Sequence, residues 1–120
     1  VRAIDLPLHV DFLVAASYGK EKVSTGEVRL LYDSEASLEG RAVVIVEDIV
    51  DSGATLDRLI PRLQERRPAS LEVCALLHKR LSSVTYEPRW IGFDAPNEFL
   101  VGYGLDYAED FRHLPYIASI

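Results

Sequence analysis

Val43 to Leu56 reads VVIVEDIVDSGATL, and its reading decides the fold. Four β-branched apolar residues, Val43 to Val46, run into two adjacent carboxylates, Glu47 and Asp48. Asp51 follows, then Ser52, Gly53, Ala54 and Thr55, then a periodic apolar stretch. The pattern predicts a buried strand, an acidic edge, a tight polar turn and a helix start. Apolarity on both faces of the strand points to a parallel sheet covered by helices.

The downstream residues extend this unit. Leu56, Leu59, Ile60 and Leu63 stand at i, i+3, i+4 and i+7 and form one apolar helical stripe. Arg62, Arg66 and Arg67 lie toward its C-terminal end, where cations favour the helix dipole. Pro61 is discordant, because an interior proline removes a hydrogen bond; the helix either kinks or starts late. Pro68 stops it, and Leu71–Leu77 resumes as a strand, completing a βαβ unit with a right-handed crossover. Outside this unit, Val10–Ala16, Val28–Leu31, Ile91–Phe93 and Val101–Tyr103 are further strand candidates. Ser17–Glu27 and Asp33–Gly40 are polar connections, the first expected to be mobile. Val1–Leu6 reads as the tail of a helix ended before Pro7. The fold class is therefore α/β, with ligands expected beyond the carboxyl ends of the parallel strands.

Length and charge bound the function. The 120 residues suffice for one domain, spanning residues 1–120. A net charge of -6 argues against a general nucleic-acid binder, and no membrane partner is expected because no stretch reaches the ~18 apolar residues of a span. Carboxylates still suit a phosphorylated small molecule held through magnesium. Cys74, the single cysteine, reads as a buried small hydrophobe in LEVCALL. A soluble, cytoplasmic protein is the expectation.

The chemistry of the central motif follows from its residue types. Glu47 and Asp48 suit ribose hydroxyls or a metal; the bland reading is a solvated acidic loop. Gly53 permits a turn whose peptide N–H groups converge on an anion at the helix start, with Ser52 and Thr55 adding hydroxyls. Alternatively, Asp51 or Ser52 is a plain helix cap. The spacing fails the GxxxxGK[ST] pattern, so this is not a triphosphatase P-loop. Asp51, between the two halves, suits proton exchange with a nitrogen heterocycle or stabilisation of a cationic ribose ring.

The fourteen residues resemble the phosphoribosyl-pyrophosphate motif of phosphoribosyltransferases. Leu77-His78-Lys79-Arg80, the segment VTYEPRWIGFDAPNEFLVGYGL over Val84–Leu105, Asp106-Tyr107 and Phe111-Arg112 resemble the hypoxanthine-guanine phosphoribosyltransferases in order and spacing. Ser17-Tyr18-Gly19 and Ser24–Val28 resemble that family's mobile active-site loop. The resemblance implies the type I phosphoribosyltransferase fold, a central mainly parallel sheet flanked by helices. It implies ribose and phosphate binding by Glu47, Asp48, Asp51, Ser52, Gly53, Ala54 and Thr55. Purine binding falls to Lys79, Phe99, Leu100 and Asp106. Pyrophosphate binding falls to Ser17, Tyr18 and Arg112. Mg2+ falls to Asp106, with Glu47 and Asp48, and proton handling at purine N7 falls to Asp51. Without the family, Phe99 reads as core, Lys79 as a solvated strand end, and Asp106 with Arg112 as a surface ion pair.

The implied activity converts hypoxanthine or guanine and 5-phospho-α-D-ribose 1-diphosphate to IMP or GMP and pyrophosphate, in a homodimer or homotetramer. Alternatives are a transferase for another base, such as xanthine or a pyrimidine, or an inactive relative that binds RNA or protein. Ala54 and Leu100 depart from the family pattern. The lysine-glycine turn of that pattern should precede Val1, so the domain is expected to be incomplete at its N-terminus and poorly active as 120 residues.

Overall fold

The computed structural model describes residues 1–17, 28–32, 36–80 and 84–120. Its elements are β1 (Val14–Ser17), β2 (Val28–Tyr32), β3 (Ala42–Val50), α1 (Ala54–Glu65), β4 (Ser70–His78), β5 (Trp90–Asp94), β6 (Leu100–Val101) and β7 (Ala118–Ser119). The centre is a parallel sheet ordered β3-β4-β5, with Val46 opposite Cys74 and Cys74 opposite Trp90. β1 and β2 form an antiparallel pair, and β6 and β7 another. Of the expected mobile loop, Ser17 ends β1, and residues 18–27, Tyr18 among them, lie outside the described residues.

The core is built almost entirely by the βαβ unit. Leu56, Leu59, Ile60 and Leu63 of α1 are buried against Ile45 and Val50 of β3 and Val73 and Ala75 of β4. These are the predicted stripe residues, each worth roughly 1.5–3 kcal/mol on full burial for the larger side chains. Pro61 sits inside the helix, which runs through it without starting late. Its missing N–H deprives the Asp57 carbonyl of its usual i+4 donor. The exposed position of Pro61 leaves the apolar stripe intact.

Several expectations are corrected. β3 does not end at Val46: it continues through Glu47 and Asp48 to Val50, because Glu47 still pairs with Ala75 and Val50 with His78. The acidic pair is thus held inside a strand. Among the described residues α1 is the single helix and covers one face of the sheet. Val44 is exposed and Val46 is 76% exposed, so β3 is not apolar-covered on both sides. Cys74 shares the open side with Val46 and is half-buried rather than buried. Val1–Leu6 forms a turn, with the Ile4 N–H donating to the Val1 carbonyl at 3.0 Å, and not a helix tail. No helix among the described residues is long and apolar enough to cross a membrane.

Candidate functional site at the carboxyl edge of the parallel sheet

The carboxyl ends of β3 and β4 carry the charged centre. Lys79 follows the last residue of β4, and its N–H donates to the Val50 carbonyl at 3.0 Å. This ties the end of β4 to the end of β3. Lys79 is 7% exposed, and its Nζ donates to Asp51 Oδ2 at 2.8 Å. Asp51 is 54% exposed, so the pair presents its carboxylate side to solvent. The reading of Lys79 as a solvated strand end is therefore overturned.

Past Asp51 the chain turns at Gly53, which has φ 80° and is the N-terminal cap of α1. Neither Asp51 nor Ser52 is the cap residue. Gly53 lacks a side chain to cap with; the Ala54 N–H instead lies 3.4 Å from Ser52 Oγ. The helix N-terminus, with Ser52 and Ala54 exposed and Thr55 half-buried, keeps the dipole and backbone N–H groups that favour an anion. A Cβ on Gly53 would meet Val84 Cα at 3.2 Å, so the following connection packs directly on this turn.

Glu47 and Asp48 part company. Glu47 is half-buried in β3, and burial, with the Asp48 charge beside it, pushes its carboxyl up to about 7. Asp48 is exposed, and its Oδ1 accepts the Ile49 N–H at 2.7 Å. The folded pKa of Glu47 lies above its ordinary 4.5, so the protonated form is the one that folding favours. Its contribution to stability is complete below pH 4.5 and is lost as pH rises through about 7. Glu47→Gln is accordingly expected to gain about 2 kcal/mol over the native chain at pH 8, after allowance for solvent screening, and nothing at pH 4. Urea unfolding at the two pH values checks this.

The third wall comes from residues 99–120. β6 pairs with β7, and the Ile120 N–H donates to the Phe99 carbonyl at 3.0 Å, which fixes the backbone at Phe99. The Phe99 ring is 51% exposed and stands edge-on to Tyr107, with centroids 5.4 Å apart and planes at 83°. Phe99 is thus not core, and one ring face remains for a ligand. Gly102, Tyr103, Gly104, Ala108, Glu109 and Phe111 all have positive φ. Non-glycine residues in that region are strained, at roughly 1–3 kcal/mol each. The strain accompanies two tight turns that bring Asp106 and Arg112 together: Arg112 Nη2 lies 2.9 Å from Asp106 Oδ1, and Nη1 donates to the Gly104 carbonyl at 2.8 Å. Glu109 N–H donates to Asp106 Oδ2 at 2.9 Å.

These walls enclose an open cleft of about 170 Å³ lined by Asp48, Ile49, Asp51, Lys79, Phe99, Leu100, Leu105, Asp106 and Arg112. Seven of those nine are candidates from the sequence. Glu47 and Ser52–Thr55 are not in its lining; the latter start α1, immediately after Asp51. Ser17 ends β1, where it pairs with Val28. Ile49, Leu105 and Tyr107 were missed. Ile49 lies in the quoted motif, and its apolar character beside three carboxylates was the available signal.

No group of three metal-ligating side chains occurs among the described residues. The donor set nevertheless fits a hard cation: Asp48 and Asp106 offer carboxylate oxygens on the cleft, and magnesium commonly takes one or two carboxylates plus substrate phosphates and water.

The cleft lies beyond the carboxyl ends of a parallel sheet, beside the N-terminus of the crossover helix, where open α/β proteins bind their ligands. Residues 1–108 match the phosphoribosyl transferase domain family, and the chain belongs to it. It is 48% identical over 120 residues to the hypoxanthine-guanine phosphoribosyltransferase of Mycobacterium avium, covering 99% of this chain and 59% of that protein. It is 48% identical over 121 residues to the bifunctional protein TilS/HprT of Listeria innocua, covering 100% of this chain and 19% of the relative. The crystal structure of a hypoxanthine-guanine phosphoribosyltransferase from Bacillus anthracis superposes with a TM-score of 0.89 at 42% identity, covering 99% of this chain and 71% of that one. The fold is therefore that of the type I phosphoribosyltransferases.

Proposed function

We propose that the polypeptide carrying this domain transfers the 5-phosphoribosyl group of 5-phospho-α-D-ribose 1-diphosphate to hypoxanthine or guanine, releasing pyrophosphate and forming IMP or GMP. The observation that carries the reading is the convergence of Asp51, Lys79, Phe99, Asp106 and Arg112 on one cleft beside the start of α1. The likeness to two named hypoxanthine-guanine phosphoribosyltransferases supports the same substrates.

In this mechanism the 5-phosphate rests on the N–H groups and hydroxyls of Ser52, Gly53, Ala54 and Thr55. The ribose hydroxyls donate to Glu47 and Asp48. The purine stacks on the free face of Phe99, where aromatic stacking adds roughly 0.5–1.5 kcal/mol to area burial. Lys79 donates to purine O6, and the backbone at Leu100 reads the ring edge. Asp51 accepts the proton at N7 as N9 attacks C1. The C1–N9 bond forms, the C1–O bond to pyrophosphate breaks, and the departing pyrophosphate carries the bonding electron pair. Asp51 also stabilises the positive charge that develops on the ribose ring. Arg112, with Ser17 and Tyr18, grips pyrophosphate oxygens, for which a guanidinium fork is suited. Mg2+, which Asp48 and Asp106 would hold, would neutralise charge on the pyrophosphate and improve it as a leaving group.

The reading extends to a cytoplasmic homodimer or homotetramer, for which Val46, Cys74 and Trp90 offer a contiguous apolar row across the sheet. The test is a steady-state assay of the full-length polypeptide that carries this domain, with magnesium and the sugar diphosphate, comparing hypoxanthine, guanine, xanthine and adenine. Turnover of the two named 6-oxopurines supports the proposal; absence of any purine nucleotide ends it.

A further inference from the structure

The last residue of β4, His78, is 0% exposed, and neither ring nitrogen has a hydrogen-bond partner. Buried imidazole nitrogens left unbonded are costly and call for a reason. Glu87 supplies the nearest carboxylate, its Oε2 lying 3.6 Å from His78 Nε2, just beyond hydrogen-bond reach. Glu87 is largely exposed, on the connection that leaves Lys79 and enters β5, so it is free to move that short distance.

The same connection touches the phosphate turn. Val84 lies against Gly53, and Val84 and Tyr86 pack on the core that holds α1. At its start the backbone is pinned on both sides: Ala95 N–H donates to the His78 carbonyl at 2.9 Å, and Lys79 N–H to the Val50 carbonyl. His78 thus adjoins Lys79, the residue paired with Asp51, and faces Glu87 on the segment whose Val84 lies against Gly53. A contact between its ring and Glu87 would fasten the far limb of the connection to the fixed end of β4.

We propose that His78 and Glu87 are positioning residues: the His78 Nε2–H faces Glu87 as its acceptor, and this contact holds the limb carrying Val84 against the phosphate turn at Gly53. The inference rests on the assignment of Ser52–Thr55 to phosphate binding. It assigns a role to two residues that touch no substrate.

The probe is ribose 5-phosphate, titrated into the full chain by calorimetry. Glu87→Ala is expected to weaken its binding about 10-fold, equivalent to about 1.4 kcal/mol. Glu87→Gln, whose amide oxygen still accepts, is expected to stay within about twofold of the native chain. Affinity for the free purine should change in neither variant. Nitrogen NMR of labelled histidine should show a His78 Nε2–H signal in the native chain that is displaced in Glu87→Ala. Equal affinity of Glu87→Ala and the native chain overturns the proposal, as does a Glu87→Gln defect as large as that of alanine. Failure of the native chain to bind ribose 5-phosphate at all refutes the phosphate assignment itself, a separate outcome.

Discussion

Replacing Gly102 with alanine is expected to cost about 3 kcal/mol or more of folding free energy, through overpacking and a positive φ together. A Cβ at this position would overlap the Tyr116 carbonyl oxygen and lie 3.2 Å from Leu114 Cβ, with φ at +89°. Backbone cannot yield as a flexible side chain does, so the 102–105 turn must break or Tyr116 must shift. Either movement loosens the two reciprocal bonds between Gly102 and Leu105, both close to 2.9–3.0 Å. The melting temperature should fall by roughly 10 °C or more. Gly104→Ala is the comparison. Its φ is +101°, yet a Cβ there meets nothing within 4 Å, so only the backbone term of about 1 kcal/mol applies. Scanning calorimetry of both variants separates the steric from the conformational part. Comparable losses in the two would show that Tyr116 accommodates the methyl group.

Asp51→Asn is expected to lower turnover with hypoxanthine by about 10²-fold or more, the range over which a positioned acid or base contributes. Asparagine keeps the shape and an oxygen acceptor for Lys79 Nζ, which in the native chain lies 2.8 Å away. It removes the charge proposed to balance the developing ribose cation and the basicity proposed to take the N7 proton. Asp51 is more than half exposed, so folding should be little affected, and urea unfolding of the variant provides that control. Unchanged turnover in steady-state assays would remove the proton role from Asp51 while leaving the cleft as a binding site.

The βαβ centre was legible because each of its signals is strong and local. The period of Leu56, Leu59, Ile60 and Leu63 names the buried side of α1, and the four β-branched residues from Val43 name β3. Lys79 at the end of LEVCALL and Asp51 after IV follow directly, since neighbouring parallel strands in register bring their ends together. The strand's continuation through Glu47 and Asp48 was not legible, because a carboxylate pair reads as solvated until the ladder to β4 is known. β6 and β7 have two residues each, too few for any periodicity. Glu109 and Phe111 adopt positive φ without glycine, which no local preference announces. Val44 and Val46 carry apolar character but not the identity of what lies over them, and both are exposed among the described residues. Phe99 was assigned to a ligand by resemblance alone, since hydrophobicity by itself pointed to the core.

The cleft draws its walls from two regions of unequal cohesion. Asp48, Asp51 and Lys79 belong to the unit whose core includes Ile45, Val50, Leu56 and Val73, so they can be displaced only when that unit opens as a whole. Phe99, Asp106 and Arg112 hang on a short two-residue ladder and a run of left-handed turns. Local opening there requires little buried apolar area to be surrendered. The half of the cleft built on β3 and β4 is therefore a durable template, and the half built on residues 99–112 a separately melting clasp whose residence in the folded form is set by its own small free energy.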